Sequence, residues 1–298
     1  MNSSAPRIAV LMTCHDRRAK TTRCLESLRR SAAAAGVLDR MRVFLVDDGS
    51  TDGTAEAAKE AWPGIAIIAA DGSKFWAGGM ALAESEATRA MSDMTHLLWL
   101  NDDVVLDEAA IEALLATSTA NPEAIAVGAM RDLDGELSYS GVRFTSRWHP
   151  LRFERVEPGE APIEVEAMNG NLVLVPARIA SSIGGVDGGF SQQAGDFDYG
   201  IRARAAGAVL LLAPGTLGVC PRNEPTPEPA GLKARWRRLN DPVGLANRDQ
   251  LRFIRRHGSW VRPMLLVVPY IQFAAAELAR LPAIGRLIPR RALRAPRS

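Results

Sequence analysis

The first hundred residues alternate between short apolar runs and segments with helical spacing, and this alternation limits the fold more than any other feature. Residues 7–13 and 42–46 are apolar runs that predict buried strands, and between them residues 17–31 carry apolar side chains at helical spacing. Two further strands are predicted at 65–69 and 96–100. Because alternating strands and helices are typical of βαβ units, the sequence predicts an α/β fold with a mostly parallel central sheet flanked by helices.

Composition narrows the class of protein. A chain of 298 residues with 47% hydrophobic and 23% charged residues is ordinary for a globular protein. The N-terminal segment has no basic region followed by a long apolar stretch, so no secretory signal is predicted. Cys14, Cys24 and Cys220 show no Cys-x-x-Cys spacing, which argues against a disulfide framework. A cytoplasmic location, in a reducing compartment, is therefore expected.

Positive charge is concentrated at the C-terminal end. Residues 231–298 hold 15 Lys and Arg against 3 Asp and Glu, a net charge of +12, while the preceding 230 residues carry a net charge of −10. The chain is therefore predicted to divide into a main domain over 1–230 and a basic, partly amphipathic helical extension over 231–298. Such a basic block can face phosphate groups, nucleic acid or anionic lipid, or be a plain solvated surface.

Two interpretations of this extension stay open. Its longest run without ionic side chains, residues 263–276, is shorter than the ~20 residues that cross a bilayer, so a spanning helix is not expected. One interpretation is a helix on an anionic membrane surface, flanked by Arg290, Arg291, Arg294 and Arg297. The other is a helix packed on the main domain or on a second subunit in a homodimer. No nucleic-acid-binding module accompanies the basic residues, so nucleic acid is not a predicted partner.

Polar residues follow each of the four predicted strands. They are residues 13–16 after the first strand, 47–50 after the second, 71–79 after the third and 101–103 after the fourth. In sheets of this kind ligands bind outside the carboxyl ends of the strands. We call this edge of the sheet the rim, and we expect the four polar clusters to lie along it and to form a ligand site.

Two of these clusters suggest diphosphate chemistry. Asp102 and Asp103 are adjacent acids, and their like charges repel unless a cation neutralises them. Carboxylates are suitable ligands for Mg²⁺ or Mn²⁺, which also bind substrate phosphates. The glycine-rich stretch 76–79 is predicted as a turn before a helix, where backbone N–H groups can meet an anion. The alternatives are a turn that merely needs glycine, and aspartates that cap the helix predicted near Glu108.

Four motifs then occur in one order within residues 7–220. They are VDDGSTDGT at 46–54, FWAGG at 75–79, LNDDV at 100–104 and GDFDYGIR at 195–202. Together they resemble the family 2 glycosyltransferases with the GT-A fold, particularly their rhamnosyltransferase-like bacterial members. The resemblance implies a nucleotide-diphospho-sugar transferase fold, with a nucleotide-binding half over about 1–104 and an acceptor half over 105–230.

The activity implied is transfer of a sugar, with inversion, from a UDP- or TDP-sugar to a hydroxyl of a glycan or polyprenyl-linked acceptor in cell-surface polysaccharide synthesis. The protein would then be cytoplasmic, with peripheral attachment to the inner face of the cell membrane as an open option. Two alternatives remain, a catalytically impaired nucleotide-sugar-binding protein and a nucleotidyltransferase. The sequence TCHDRR after the first strand lacks the glycine-rich loop with Arg and Lys that the second alternative requires.

The resemblance also implies a donor side. Its donor-binding residues are Thr13, His15, Asp48, Trp76, Gly78, Gly79, Asn101 and Asp102. Thr13 and His15 would lie at the nucleotide end, with Asp48 bonded to the base, and Asp103 would bind the divalent metal, Mg²⁺ or Mn²⁺. Many relatives add a metal-binding His near the position of Cys220; because a thiol is a poor ligand for Mg²⁺, Cys220 is not predicted as a ligand.

On the acceptor side the resemblance implies that Asp196 is the general base, since a hydroxyl that attacks an anomeric carbon must lose its proton. Gly195 stands where the family has a Glu. Gly170 would leave room for a sugar, and Asp198 and Arg202 would lie beside the acceptor. The alternatives are a helix cap for Asp196, a surface salt bridge for Arg202 and, on the donor side, a plain core position for Trp76.

Overall fold

A computed structural model describes residues 5–148, 152–222, 227–241, 248–258, 260 and 262–280 of the chain. The chain divides into two compact units. The first comprises residues 1–145 and 151–224, and the second comprises 146–150 and 225–298. The division at 224/225 lies six residues before the boundary predicted from charge.

The first unit is an α/β domain. Its strands are β1 (Ile8–Cys14), β2 (Met41–Asp47), β3 (Ala66–Ala69), β4 (His96–Leu100), β5 (Val105–Leu106), β6 (Ala124–Arg131), β7 (Leu137–Tyr139), β8 (Gly141–Phe144), β9 (Phe153–Arg155), β10 (Ile163–Val165), β11 (Ala167–Met168), β12 (Leu172–Pro176) and β13 (Val209–Val219). Its helices are α1 (Arg18–Ala34), α2 (Thr54–Ala61), α3 (Phe75–Ala90), α4 (Ala110–Ala120), α5 (Ala177–Ile183) and α6 (Gly195–Ala205).

The main path of the large sheet runs in the order β10-β13-β6-β12-β4-β1-β2-β3. β1 pairs in parallel with β2 and β4, β2 with β3, and β6 with β13. β12 is antiparallel to both β4 and β6, and β10 is antiparallel to β13. Four of the seven pairings on this path are therefore parallel, which confirms the predicted α/β fold with a mostly parallel sheet. β8, β9 and β11 form a small antiparallel sheet beside it.

Strand β1 shows why the central strands are apolar along their whole length. Ile8, Val10 and Met12 belong to one buried core cluster together with Cys24, Leu25 and Leu28 of α1. Thr13, on the alternate set of positions, meets Gly79 of α3. Helices therefore cover both faces of the strand, and a strand buried on both faces reads as a continuous apolar run.

One predicted boundary is wrong in a way that matters for the site. The third helix was expected to begin at Gly79, after a glycine turn, but α3 begins at Phe75. Gly78 and Gly79 are consequently the fourth and fifth residues of the helix. The earlier start has a physical cause, because the carboxylate of Asp48 accepts hydrogen bonds from the backbone N–H groups of Lys74 and Phe75 and so satisfies donors at the helix start.

The described residues of the second unit lie mostly in helices, as predicted for the C-terminal extension. Its helices are α7 (Leu232–Asn240), α8 (Arg248–His257) and α9 (Arg262–Ala279). Arg235 of α7 forms an ion pair with Glu277 of α9, and the ring of Trp236 packs on Tyr270 and Phe273 of the same helix. α9 also carries exposed apolar side chains, among them Met264, Val267, Ile271 and Leu278.

Within the described part of the chain, no helix is both long enough and apolar enough to cross a membrane. Four arginines of the extension, Arg290, Arg291, Arg294 and Arg297, lie outside the described residues. The predicted amphipathic membrane helix therefore stays a prediction over its C-terminal part.

Candidate active site

The polar clusters that follow β1 and β2 meet at the rim. Nδ1 of His15 donates a hydrogen bond of 2.6 Å to the backbone carbonyl oxygen of Asp48. The neighbouring backbone N–H of Asp16 donates to the hydroxyl of Ser50 at 3.0 Å, and the carboxylate of Asp16 accepts from the backbone N–H of Thr51 at 2.7 Å. The two predicted nucleotide-side segments therefore form one connected surface.

Asp48 is buried, and its carboxylate organises the loop between β3 and α3. It accepts backbone hydrogen bonds from Gly72, Lys74 and Phe75 at 2.9, 3.0 and 2.9 Å. Phe75, whose N–H donates one of these bonds, has a positive φ of 54°. The carboxylate that was expected to contact the nucleotide base is thus engaged with the protein's own backbone, and this role was not visible in the sequence.

Trp76 contacts residues from both the predicted donor side and the predicted acceptor side. Its Nε1 donates to Oδ1 of Asn101 at 2.8 Å, and its indole meets the buried ring of Trp99 edge-on, with centroids 5.8 Å apart. A Cβ atom at Gly170 would lie 2.6 Å from the indole of Trp76 and 3.3 Å from Cβ of Asp196. Gly170 was expected to leave room for a sugar; in the structure, the space that glycine provides is taken by the indole.

The two glycines at the start of α3 have different surroundings. A Cβ at Gly79 would lie 2.3 Å from Oγ1 and 2.7 Å from Cβ of Thr13, so only glycine lets the helix approach β1 this closely. A Cβ at Gly78 would make an ordinary contact of 3.4 Å with Lys74. Gly79 was predicted to belong to an anion-binding turn. In the structure it lies in α3, and the close packing of this helix against β1 explains why the residue is glycine.

The adjacent acids Asp102 and Asp103 both form ion pairs with a cationic side chain of the protein itself. A single nitrogen, Nη1 of Arg17, lies 3.1 Å from Oδ1 of Asp102 and 2.9 Å from Oδ2 of Asp103. Asp102 is 5% exposed, and burial raises its pKa to about 6, with Arg17 opposing the shift and Asp103 adding to it. We term these three residues the acid clasp. Sequence reasoning missed Arg17, whose only signal was its position two residues after the rim residue His15.

The acid clasp retains free acceptor capacity. Among the described residues, Oδ2 of Asp102 is buried without a hydrogen-bond partner. Oδ1 of Asp103 has the thiol of Cys220 at 3.5 Å, and Nδ2 of Asn171 donates to the same sulfur at 3.4 Å. Burial raises the pKa of Cys220 far above its usual value, so the sulfur is a protonated thiol at neutral pH.

The donor set can be compared with what a divalent cation needs. No group of three or more His, Cys, Asp or Glu side chains is placed to hold a metal ion in the part of the chain that the structure describes. Mg²⁺ and Mn²⁺, however, commonly use one or two carboxylates and take their other ligands from substrate phosphates and water. Asp102 and Asp103 fit that pattern, on the condition that the guanidinium of Arg17 moves away.

Asp196 stands on the other side of Trp76, in the first turn of α6. Oδ2 accepts from the backbone N–H of Gly170 at 3.0 Å, and Oδ1 accepts from that of Phe197 at 2.9 Å. Burial raises the pKa of Asp196 to about 6, although both backbone hydrogen bonds lower it. In the described residues no cationic side chain is paired with this carboxylate. A half-buried carboxyl with a pKa near 6 and no counter-ion is suited to accept a proton near neutral pH.

Backbone strain marks the same edge of the sheet. Three non-glycine residues in the described chain have positive φ, Asp16 at 48°, Phe75 at 54° and Ala194 at 61°. They lie just before, or at, the starts of α1, α3 and α6, the helices that present Arg17, Trp76 and Asp196. Strained residues of this type persist where surrounding contacts over-determine them, and they cluster at functional sites.

The remaining predicted acceptor-side residues lie inside the fold. Asp198 is fully buried, and its Oδ2 accepts from Nε of Arg202 at 2.8 Å. The other guanidinium nitrogens of Arg202 donate to the carbonyl oxygens of Ile183 and Gly185 at 2.7 and 2.8 Å. Asp198 thus has no surface from which to contact an acceptor, and the pair ties α6 to the end of α5. It is not the surface salt bridge that was the alternative interpretation of Arg202.

A continuous series of contacts joins the three predicted regions. Asp48 holds the start of α3, Trp76 of that helix bonds to Asn101 and packs at Gly170, and Gly170 bonds to Asp196. Asp102 and Asp103 of the acid clasp follow directly after Asn101 in the chain. This series connects Asp48, which follows β2, and Asn101, which follows β4, to Asp196 in the first turn of α6.

Comparison with known proteins agrees with this arrangement. The family model described as Glycosyl transferase family 2 matches residues 9–170, which is more than half of the chain. The N-acetylglucosaminyl-diphospho-decaprenol L-rhamnosyltransferase of Mycobacterium tuberculosis is 27% identical over 201 residues, in each of two strains. That match covers 58% of this chain and 64% of the relative, which is less than two thirds of the relative's length.

Solved structures share the fold. GalNAc-T7, in a structure with UDP, GalNAc and Mn²⁺, superposes with a TM-score of 0.58 at 15% identity, over 94% of this chain and 53% of that one. The mannosyltransferase PcManGT from Pyrobaculum calidifontis, in complex with GDP-Man and Mn²⁺, has a TM-score of 0.56 at 17% identity, over 97% of this chain and 78% of that one. These similarities show that the fold is GT-A. With the family-model match over residues 9–170, they lead to the conclusion that this chain is a member of glycosyl transferase family 2.

Proposed function

We propose that the protein is an inverting glycosyltransferase that moves a sugar from a nucleoside-diphosphate donor to a hydroxyl of a lipid-linked glycan. The observation that carries this proposal is the pairing of two unlike acidic regions across Trp76. On one side Asp102 and Asp103 share a cation, and on the other Asp196 has a pKa near 6 and no counter-ion among the described residues. Charge neutralisation for a departing diphosphate and a base for an incoming hydroxyl are the two requirements of this reaction.

On the donor side, the residues near His15 and Asp48 would receive the nucleotide, and Trp76 with Asn101 would border the sugar. Asp103, with Asp102, would hold a divalent cation, Mg²⁺ or Mn²⁺. When bound, such a cation offsets the negative charge that develops on the leaving diphosphate. The hydrogen bond from Trp76 to Asn101 keeps the indole oriented between the two sides.

On the acceptor side, Asp196 would take the proton of the attacking hydroxyl. The bond between the acceptor oxygen and the anomeric carbon forms as the bond from that carbon to the diphosphate oxygen breaks, and the diphosphate leaves with the electron pair. One displacement from the face opposite the leaving group inverts the anomeric configuration. The N–H groups of Gly170 and Phe197 fix the carboxylate for this step.

A lipid-linked acceptor is proposed because the curated relative is named for one, N-acetylglucosaminyl-diphospho-decaprenol. The basic C-terminal extension supports the same choice, since clustered arginines attract anionic lipid headgroups. The proposed location is accordingly the cytoplasmic side, with peripheral attachment to the membrane, in the synthesis of a cell-surface polysaccharide.

The test has two stages. A thermal-shift screen of UDP- and TDP-sugars, with and without Mn²⁺, identifies the donor, because a ligand that binds only the folded state raises the melting temperature. The donor is then incubated with polyprenyl-diphospho-N-acetylglucosamine, and the product is measured by mass spectrometry. We expect a mass increase of one sugar. Binding without transfer to any acceptor would support the catalytically impaired protein instead, and formation of a nucleotide sugar from a nucleoside triphosphate would support the nucleotidyltransferase.

A further inference from the structure

The acid clasp places a cation of the chain where two carboxylates converge. One nitrogen of Arg17 lies within 3.1 Å of both Asp102 and Asp103. Arginine usually meets carboxylates with two parallel N–H bonds to one acid. Here a single Nη1 bridges two acids, which is the arrangement of a point cation between its ligands.

The acid clasp also has carboxylate oxygens that are not fully hydrogen-bonded and could bind a divalent cation. Oδ2 of Asp102 is buried and, in the described part of the chain, unpartnered. Among the described residues, the hydrogen-bond donor to Oδ1 of Asp103 is the weak donor Cys220, at 3.5 Å. A unit positive charge leaves these oxygens unsatisfied, whereas a divalent cation binds carboxylate oxygens strongly.

Arg17 is held by little else. It immediately precedes α1, its side chain is 38% exposed, and its only side-chain hydrogen bonds to described residues are those to Asp102 and Asp103. Moving the guanidinium into solvent therefore breaks the clasp contacts without disturbing other pairs.

From these observations we propose that Arg17 is an exchangeable counter-ion. It holds Asp102 and Asp103 in place while no donor is bound, and it yields their oxygens to the divalent cation that accompanies the donor. This inference rests on the proposed function only in assigning the cation to Asp103. Arg17 is accordingly a positioning residue that competes with the metal.

The competition has a distinctive signature in donor-free protein. We expect Arg17→Gln to bind Mn²⁺ alone at least about tenfold more tightly than the unmodified protein, because a competing charge within about 3 Å has been removed. Electron paramagnetic resonance of free Mn²⁺ measures this directly. Arg17→Lys keeps the charge, so its affinity should stay near that of the unmodified protein. Arg18→Gln is the matched control: it removes a positive charge one residue away, and we expect an affinity within about twofold of the unmodified protein.

A second measurement reports on the same exchange through stability. In EDTA, Arg17→Gln should melt below the unmodified protein, because two adjacent acids lose their counter-ion. Saturating Mn²⁺ should close most of that difference. Unchanged or weaker Mn²⁺ binding by Arg17→Gln, or a melting difference that Mn²⁺ leaves in place, would overturn the inference.

Failure of the proposed function gives a different result. If Arg17→Gln binds Mn²⁺ tightly, and Asp103→Asn added to it abolishes that binding, the exchange is established even where no sugar is transferred to any acceptor. Sugar transfer by a protein whose Mn²⁺ affinity is indifferent to Arg17 leaves the transferase proposal standing and removes the inference.

Discussion

Two acidic regions of the candidate site have similarly raised pKa values but different surroundings. Burial raises the pKa of Asp102 and of Asp196 to about 6 in each case. Asp102 shares the guanidinium of Arg17 with Asp103, whereas Asp196 is held by two backbone N–H groups and, within the described residues, by no cation. A raised pKa alone therefore does not identify a role.

The difference lies in what each carboxylate can exchange. A carboxylate beside a cation can exchange that cation for another, and this suits a site for a charged ligand. A carboxylate held by N–H groups keeps its orientation whether or not it carries a proton on a free lone pair, and this suits proton transfer. Asp198, two residues after Asp196 and fully buried against Arg202, does neither and serves the fold.

The largest expected effect is on turnover. Asp196→Asn preserves the size of the side chain and an oxygen for one of the two backbone N–H groups but removes the base, so we predict a loss of about 10²–10⁴-fold in turnover with donor affinity retained. Steady-state kinetics and donor titration by calorimetry measure the two quantities. Near-normal turnover of the variant would contradict the base role of Asp196, and the proposed functional difference between the two regions would be lost.

Asp198 differs from Asp196 in that its ion pair with Arg202 is expected to stabilise the fold, which unfolding measurements can test. Arg202→Gln leaves the carboxylate of Asp198 buried without its cation, and we predict a fall of about 3–5 kcal/mol in the free energy of unfolding. The matched control is Arg204→Gln in the same helix, whose partner Glu166 is 3.9 Å away in an exposed pair. That change should cost about 1 kcal/mol or less. Equal losses in urea unfolding for the two variants would mean that the buried pair is no stronger than a surface pair.

The segment between the two regions can be tested through its adjacent glycines. Gly79→Ala would force a Cβ to within 2.3 Å of the Thr13 hydroxyl oxygen. We predict a loss of about 1–3 kcal/mol in the free energy of unfolding from this overpacking. Gly78→Ala has room, and because alanine favours a helix it should be neutral or should stabilise by up to about 1 kcal/mol. If both variants keep full stability and lose donor affinity, the glycines serve the ligand and not the packing.

The smallest effect is a pH dependence with a defined sign. The base must be ionised, so kcat/KM should fall by about tenfold per pH unit as the pH drops below the pKa of Asp196, near 6. The same shift does not destabilise the fold in that range. Because the folded-state pKa lies above 3.8, the ordinary value of an aspartate, the folded state binds more protons between pH 3.8 and about 6, so this group adds stability as the pH falls through the window.

Activity and melting temperature measured together at pH 5 and pH 7 distinguish the two effects. Loss of activity at pH 5 with an intact melting transition is the expected result. A kcat/KM that stays level from pH 7 to pH 5 would contradict a base with a pKa near 6.

Much of the domain was predictable from local pattern. The strands over 7–13, 42–46 and 96–100 were placed to within one residue of β1, β2 and β4. The position of Asp102 and Asp103 just after β4 followed from the strand pattern, whereas Asp196 was singled out only by the family resemblance. The start of α3 was not predictable, because it is set by Asp48, which lies 26 residues before Lys74 in the chain.

The sequence by itself determined the order of strands and helices and the residues available at the strand ends, because hydrophobic period and turn chemistry act over a few neighbouring residues. Tertiary structure alone decided what each acid faces. Arg17 reaches Asp103 across 86 positions of sequence, Gly170 leaves space for Trp76, and half-buried Asp196 is paired with no cation among the described residues. These outcomes depend on burial and on contacts between distant segments, and both exist only once the sheet has assembled.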